Sequence, residues 1–167
     1  MKNTKKGFAL LIAVIFMSVM LALGLALGSL AYKQEVLAST AVLSQYAFYA
    51  ADAALECALD ADQQLNYFAY SNYPNLPQSM TCGGASPDPH YFSSSKSGST
   101  WIIKEWRIPI NSGCADVTIY KYPSGYVDAS GKARSADIFS QGYSTSCATV
   151  DAPNGARFSS RGLKVHY

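Results

Sequence analysis

The chain opens with a short polar stretch and continues with a long run of apolar residues. The run extends from Phe8 to Tyr32, reads FALLIAVIFMSVMLALGLALGSLAY and contains no charged residue. As a helix rising about 1.5 Å per residue it is roughly 37 Å long, which exceeds the ~30 Å hydrocarbon core of a bilayer. The pattern therefore predicts that residues 8–32 form a membrane-spanning helix.

The charges that precede this run predict its direction across the membrane. Three lysines precede it: Lys2, Lys5 and Lys6. Lysine-rich flanks of a membrane span remain on the cytoplasmic side. We therefore expect a single-pass membrane protein in which residues 1–7 form a cytoplasmic leader and the chain beyond the span lies outside the cytoplasm.

A secretory signal is the alternative interpretation of the same run. Such a signal has a shorter apolar region, of about 7 to 15 residues, and a small-residue cleavage site near its end. Ser29-Leu30-Ala31 has the form of that site. Cleavage after Ala31 would release a soluble secreted domain, whereas the length of the run and the helical pattern beyond it favour a retained helix.

The helical pattern continues past the apolar run. No Gly or Pro occurs from Ala31 to Tyr73, and this stretch is rich in Ala, Leu and Gln, which are compatible with a helix. Apolar residues recur at the spacing of one buried helix face: Val36, Leu43, Ala47, Ala50, Ala54 and Ala58. We predict one helix from Phe8 to about Leu65, with an amphipathic outer half over residues 33–66.

Two glycines lie four residues apart inside the apolar run. Gly24 and Gly28 form a GxxxG pair, and such pairs allow two membrane helices to approach closely. Each glycine also weakens a helix by roughly 1 kcal/mol relative to Ala. The pair is therefore a candidate helix-packing site, although glycine is also common in membrane helices generally.

The last hundred residues contain short apolar and aromatic runs that predict strands. The predicted strands are Thr100–Ile110, Val117–Tyr122, Asp137–Ser144 and Phe158–Tyr167. The stretch Tyr67–Lys96 is rich in Tyr, Asn, Ser and Pro and predicts a loop. Strands that follow a single long helix favour an α+β fold, with a small antiparallel sheet packed on that helix. Residues 67–167 are long enough to form one extracytoplasmic domain.

Four cysteines follow the apolar run, and sequence alone allows three ways to pair them. An oxidising compartment favours disulfides, and no CxxC pair supports a zinc site. A hairpin centred on Ser130-Gly131 would place Cys114 opposite Cys147 and Thr118 opposite Tyr143. This hairpin favours the pairings Cys114–Cys147 and Cys57–Cys82.

Residues that carry enzymatic or metal chemistry are sparse. Asp52, Glu56 and Asp60 share one helix stripe, which we expect to face solvent or a neighbouring subunit, because a metal site needs convergent ligands from elsewhere. His90 and His166 lie in no recognisable motif, and neither a GxSxG nor a Walker pattern occurs. The sequence predicts a protein that is not an enzyme and has no cofactor, metal or small-molecule substrate.

The net charge of +2 is unevenly distributed. Residues 1–66 contain four basic and five acidic groups, and residues 67–167 contain nine basic and six acidic groups. Five of the basic residues lie towards the C-terminus: Lys132, Arg134, Arg157, Arg161 and Lys164. On one shared face they would attract DNA phosphates or another anionic surface, and dispersed they would form an ordinary solvated surface.

Two stretches resemble the N-terminal region of type IV pilins. Lys5-Lys6-Gly7 directly before Phe8 resembles the class III signal of type IV prepilins. The segment from Ala47 to Glu56, AFYAADAALE, resembles the AFYAAEAGLE-like signature of PilX-type and GspK-type minor pilins. The resemblance covers roughly the first 60 residues. The remaining hundred are similar to the family only in layout.

The resemblance implies a specific processing pathway. A prepilin peptidase would cut between Gly7 and Phe8, Phe8 would become N-methylated, and the apolar helix would remain on the mature protein. The helix would then join other pilin subunits in a filament at the cell surface. The implied partners are therefore the peptidase, the membrane and other pilins.

One position departs from the family pattern. Most major pilins have a Glu five residues after the leader glycine, where it pairs with the N-terminal amine of a neighbouring subunit, and this chain has Ile12 there. An unpaired ionisable group inside a bilayer is costly. The departure favours a minor pilin or pseudopilin near a filament tip, with lineage drift as the other explanation. An adhesin or a DNA-binding tip module, with a host surface or DNA as ligand, is the alternative function.

Overall fold

The structure is a computed structural model that describes residues 4–73, 80–82 and 92–167. The chain divides into two compact units, Met1–Ala41 and Val42–Tyr167. Much of the predicted loop, including His90, lies outside the described residues.

The first helix, α1, begins at Thr4 and ends at Gln63. It starts four residues before the predicted Phe8 and ends two residues before the predicted Leu65. Every side chain from residue 8 to residue 41 is exposed. Both serines of the apolar run donate hydrogen bonds to helix carbonyls, Ser18 to Ile15 and Ser29 to Ala26, each at 2.8 Å. Their hydroxyls are therefore satisfied within the helix.

Five antiparallel strands in the second unit form one sheet, in which neighbours in sequence are neighbours in space. They are β1 (Phe92–Ser97), β2 (Thr100–Ile110), β3 (Gly113–Lys121), β4 (Ala136–Tyr143) and β5 (Ser160–His166). A short helix, α2 (Cys147–Asp151), follows β4. The predicted α+β fold, with one long helix on an antiparallel sheet, is confirmed.

Small side chains line the part of α1 that packs on the sheet. Six alanines are at most 4% exposed: Ala47, Ala50, Ala51, Ala54, Ala58 and Ala61. Leu43, predicted for the same face, is half-buried. The prediction is wrong for Val36, which is 41% exposed because it lies in the first unit, whereas the sheet belongs to the second.

The prediction of a continuous loop to Lys96 is also wrong, since β1 occupies Phe92–Ser97. Its sequence, FSSSKS, is polar and almost fully exposed, so it lacks the apolar alternation that marks a half-buried strand. Backbone pairing to β2 forms it, through a turn in which Gly98 has a φ of +59°. Glycine adopts that left-handed conformation without strain.

The β3–β4 hairpin has a different register from the predicted one. Thr118 lies opposite Phe139, not Tyr143, and Cys114 lies opposite Tyr143. The shift is four residues, and an even shift leaves every side chain on its original face. Alternation therefore cannot distinguish the two registers. The connection between the strands determines the register. In this connection Asp128 accepts backbone hydrogen bonds from Ser130 and Lys132, which stabilise the turn.

A bulge in β2 sets which of its residues face α1. The pairing shifts by one position between Glu105 and Ile108, and Arg107 has a φ of +66°. The extra residue allows Glu105 and Ile108 both to be buried, although they are three positions apart. The side of the sheet under α1 then forms a continuous apolar core: Trp101, Ile103, Ile108, Val117, Ile119 and Ile138.

Glycine at position 142 permits the closest approach between α1 and the sheet. A Cβ atom built there would lie 2.2 Å from the carbonyl oxygen of Ala47 and 2.3 Å from the amide nitrogen of Ala51. Both contacts are with helix backbone, which cannot rotate away as a side chain can. The helix and β4 can therefore pack at this distance only if position 142 has no side chain.

We predict that Gly142→Ala destabilises the second unit by about 3 kcal/mol, because overpacking against rigid backbone forces the helix off the sheet. Urea unfolding of the full chain in detergent measures the effect. The control is Gly162→Ala on β5, where the new Cβ would meet its nearest atom at an ordinary 3.8 Å. Equal stability of the two variants would contradict this account of the packing.

Candidate assembly surface

An exposed apolar surface covers the first unit. The run from Phe8 to Tyr32 has no buried residue, and Phe8 itself is 68% exposed. Among the described residues, α1 is the one helix long and apolar enough to cross a membrane, a criterion that a signal sequence near an N-terminus also meets. In water this surface would be strongly unfavourable. The surface is therefore compatible with a membrane-spanning helix.

The predicted processing and packing residues all lie on this segment. Gly7 and Phe8 fall near the start of α1. A Cβ added at Gly24 or Gly28 would meet no atom within 4 Å, so the helix surface at both glycines is open to a neighbour. Ile12 is 49% exposed, so its apolar side chain lies on the open surface of the helix.

A second open surface lies on α1 within the second unit. Tyr46 and Tyr49 are more than half exposed, and together with Asp52 and Glu56 they border a groove of about 450 Å³ against the β2–β3 turn. The predicted carboxylate stripe follows this surface, since Glu56 and Asp60 are exposed and Asp52 is half-buried. The sheet thus leaves one aromatic and acidic helix face uncovered.

Two disulfides tie peripheral segments to the core. Cys57 pairs with Cys82, with Cα atoms 5.8 Å apart, and Cys114 pairs with Cys147, with Cα atoms 4.9 Å apart. These are the two pairings that the sequence favours. The hairpin register from which Cys114–Cys147 was predicted is wrong, because Cys114 lies opposite Tyr143. Cys147 begins α2, beyond the end of β4, and reaches Cys114 by folding back over the strand.

A buried carboxyl group lies in the core beside the first disulfide. Glu105 is 1% exposed, and its Oε2 accepts a hydrogen bond from the Met80 amide at 3.1 Å. Its Oε1 has no partner among the described residues. Burial raises the pKa of Glu105 to about 7, although the Met80 hydrogen bond opposes this change. Burial therefore favours the protonated form of Glu105, although the Met80 amide favours the ionised form.

A buried ion pair joins the end of α1 to β3. Lys121 Nζ lies 2.7 Å from Asp62 Oδ2, and Tyr167 donates its hydroxyl to the same oxygen. Burial and this hydrogen bond to Asp62 raise the pKa of Tyr167. The ammonium also lies 5.7 Å from the Tyr167 ring. One carboxylate thus connects the helix end, a central strand and the last residue of the chain.

An arginine on the β2 bulge holds α2 in place. Arg107 bonds both carboxylate oxygens of Asp116 at 2.9 Å and also pairs with Asp151 of α2. Desolvation lowers the pKa of Arg107, but the two carboxylates outweigh it and the net change is upward. Tyr143 donates a hydrogen bond to Asp116 and lies under the guanidinium. The network therefore fixes the helix that carries Cys147.

The five basic residues near the C-terminus do not act as one free patch. Arg134 pairs with Asp128 and Asp137, and Lys164 lies 3.6 Å from Asp137. Arg161 donates a hydrogen bond to Ser44 on α1. Hydrogen bonds from Ser130, Lys132 and Arg134 hold the pKa of Asp128 well below its usual range. Much of the predicted positive charge is therefore already paired.

Sequence reasoning missed Asp62, Glu105 and Lys121, although the pattern contained a signal for two of them. Glu105 follows Ile103 at an inward position of β2, and Lys121 follows Ile119 at an inward position of β3. A charged residue at an inward strand position indicates a buried polar contact. The described residues contain no group of three His, Cys, Asp or Glu placed to hold a metal ion.

Comparisons with protein-family models, with curated proteins and with solved structures found no match to this chain. Its surfaces are therefore interpreted from their own geometry and chemistry.

We predict that Glu105 makes the second unit less stable as the pH rises from about 4.5 to about 7. The pKa is about 7 in the folded state and 4.5 in the reference state, so the folded state retains a proton that the unfolded state has released. The free energy of unfolding should fall over this window by up to about 3 kcal/mol. It should level off above pH 7.

Urea unfolding at several pH values provides the test. Glu105→Gln stays neutral throughout, so the decline attributable to this group should disappear. Glu56→Gln, on the exposed helix face, is the matched control and should show the same decline in stability as the wild type. A Glu105→Gln protein with the same pH profile as the wild type would show that another group is responsible.

Proposed function

We propose that this protein is a minor pilin or pseudopilin, a structural and assembly subunit of a type IV pilus-like filament. The observation that carries the proposal is the combination of two features on one helix. Residues 8–32 expose an unbroken apolar surface, and residues 42–63 pack through small alanines on a disulfide-bonded sheet. The first half is suited to lipid before assembly and to neighbouring helices in the filament. The second half carries the outer domain.

The leader and the segment AFYAADAALE support the same proposal. Removal of residues 1–7 would expose the amine of Phe8 at the end of an uncharged helix. Membrane helices associate through close packing at small residues, and Gly24 and Gly28 present such a site with no atom of this chain in front of it. The proposed partners are the prepilin peptidase, the membrane and other pilin helices.

Ile12 supports a position near a filament end. Each subunit that lacks a carboxylate here leaves the amine of a neighbour without its usual partner at membrane depth, where an unpaired charge is costly. In a repeating subunit this penalty recurs at every position. At a tip it occurs once, or not at all when no amine is presented to this residue.

We predict that the mature chain begins at N-methylated Phe8, which mass spectrometry of the N-terminal peptide measures directly. Gly7→Leu should leave the precursor uncut, because the bulky side chain blocks the position where the proposed peptidase requires a small residue. Gly28→Leu, deep in the apolar run, is the control and should be processed normally. Loss of the same leader mass from Gly7→Leu would remove the main support for the proposal. A terminus at Tyr32 would establish the secreted alternative.

We also predict that this chain is a scarce component of purified filaments. Quantitative mass spectrometry of the filament subunits should find it far below the repeating pilin. Because Ile12 is the proposed cause, Ile12→Glu should increase its incorporation along the filament, whereas Ile15→Glu, also in the apolar run, should not. A wild-type chain that is the most abundant subunit would exclude the tip position.

A further inference from the structure

The face of the sheet turned away from α1 carries an aromatic pair flanked by lysines. Side chains alternate between the two faces of each strand, so the residues next to the buried core positions point outward. Six of these outward residues form a surface that we call the outer platform: Lys104, Thr118, Tyr120, Phe139, Gln141 and Lys164. Four of them are exposed, and Thr118 and Tyr120 are half-buried.

The strand register places four platform residues in one transverse row. Lys104 on β2 lies opposite Thr118 on β3, which lies opposite Phe139 on β4, which lies opposite Lys164 on β5. With neighbouring strands about 4.8 Å apart, the two lysine backbones are separated by roughly 14 Å. The row thus has a cation at each end and an aromatic ring between them.

The aromatic pair is accessible from solvent. Phe139 is 39% exposed, and its ring centroid lies 5.7 Å from that of Tyr120 in an edge-to-face arrangement. Gly162 leaves a depression of about 400 Å³ beside Phe139, bordered by Thr118, Gln141 and Lys164 and also by Asp116. An exposed aromatic surface therefore lies beside hydrogen-bonding groups and an open space.

The charge on this face favours an anionic ligand. Asp116 is occupied by Arg107 and Tyr143. Asp137 is occupied by Tyr122 and Arg134 and also lies 3.6 Å from Lys164. Burial and the hydrogen bond to Asp137 raise the pKa of Tyr122 to about 12, so that phenol stays neutral. No described carboxylate pairs with Lys104.

We propose that the outer platform binds a single-stranded nucleic acid, with a base stacked on the Tyr120–Phe139 pair and phosphates at Lys104 and Lys164. Exposed aromatic rings beside cations are the combination that binds unpaired strands, because any base can stack on them and the backbone supplies the charge. Thr118 and Gln141 offer donors and acceptors to a base edge. This function goes beyond filament assembly and does not depend on leader processing.

Lys164 makes two contacts that must give way on binding, one with the Phe139 ring and one with Asp137. Lys164 Nζ lies 4.7 Å from the Phe139 ring centroid. An exposed cation–π contact contributes about 0.5 to 1 kcal/mol, whereas stacking of a base on an aromatic side chain contributes about 1 to 3 kcal/mol. A base can therefore displace the ammonium from the ring. The ammonium can then exchange Asp137 for a phosphate, because Asp137 keeps Arg134 and Tyr122 as partners. The bases of a duplex are already stacked on each other and cannot reach the rings.

Fluorescence anisotropy of a labelled oligothymidylate with the full chain in detergent micelles tests the proposal. Phe139→Ala and Tyr120→Ala should each weaken binding by about tenfold or more, and Phe139→Trp should retain it. Lys104→Gln should reduce the slope of log affinity against log salt by about 0.7. A duplex of the same length should bind at least tenfold more weakly. Urea unfolding of each variant verifies that it is folded.

Tyr49→Ala is the matched control, since it removes an exposed aromatic ring from the α1 face and should leave binding unchanged. The proposal is overturned if the oligothymidylate does not bind. It is also overturned if Phe139→Ala and Tyr49→Ala weaken binding equally, or if duplex and single strand bind alike with no effect of either platform ring. A neutral oligosaccharide that binds in a Phe139-dependent manner while the oligothymidylate does not would identify a glycan site instead.

Discussion

The close contact between the α1 backbone and β4 is the constraint on which the second unit depends. Gly142 leaves no room for a Cβ against Ala47 and Ala51, and the alanines of α1 are small enough to allow the same approach along the helix. Close packing excludes water and brings the helix end within reach of the sheet. The apolar core and the buried polar contacts both require this spacing.

The same packing brings the buried carboxyl groups to their partners. Asp62 meets Lys121 only when the end of α1 lies over β3, and Glu105 meets the Met80 amide only when the segment after α1 returns to the core. Each group would be costly to bury alone. The disulfide Cys57–Cys82 holds that returning segment, and Arg107 and Cys114–Cys147 hold α2.

A single helix on a sheet covers only one face, which has consequences for function. The apolar first half of α1 exposes apolar side chains, its second half exposes tyrosines and carboxylates, and the far side of the sheet exposes Phe139 between two lysines. These surfaces differ in chemistry. In the functions proposed here, the first surface contacts lipid and other helices, the second a neighbouring subunit, and the third an anionic strand.

The sequence by itself determined the features that depend on local pattern. An uncharged run of this length predicts a long helix. A short apolar and aromatic run predicts β2, and period-two alternation predicts β5, because alternation buries one face of a strand. Tertiary structure alone decided the β3–β4 register, since a shift of four residues preserves every face and only the Asp128 turn distinguishes the alternatives. Tertiary structure also determined β1, a serine-rich strand that forms through pairing with β2. It determined the partners of Asp62 and Glu105 as well, because contacts between residues distant in sequence leave no local pattern.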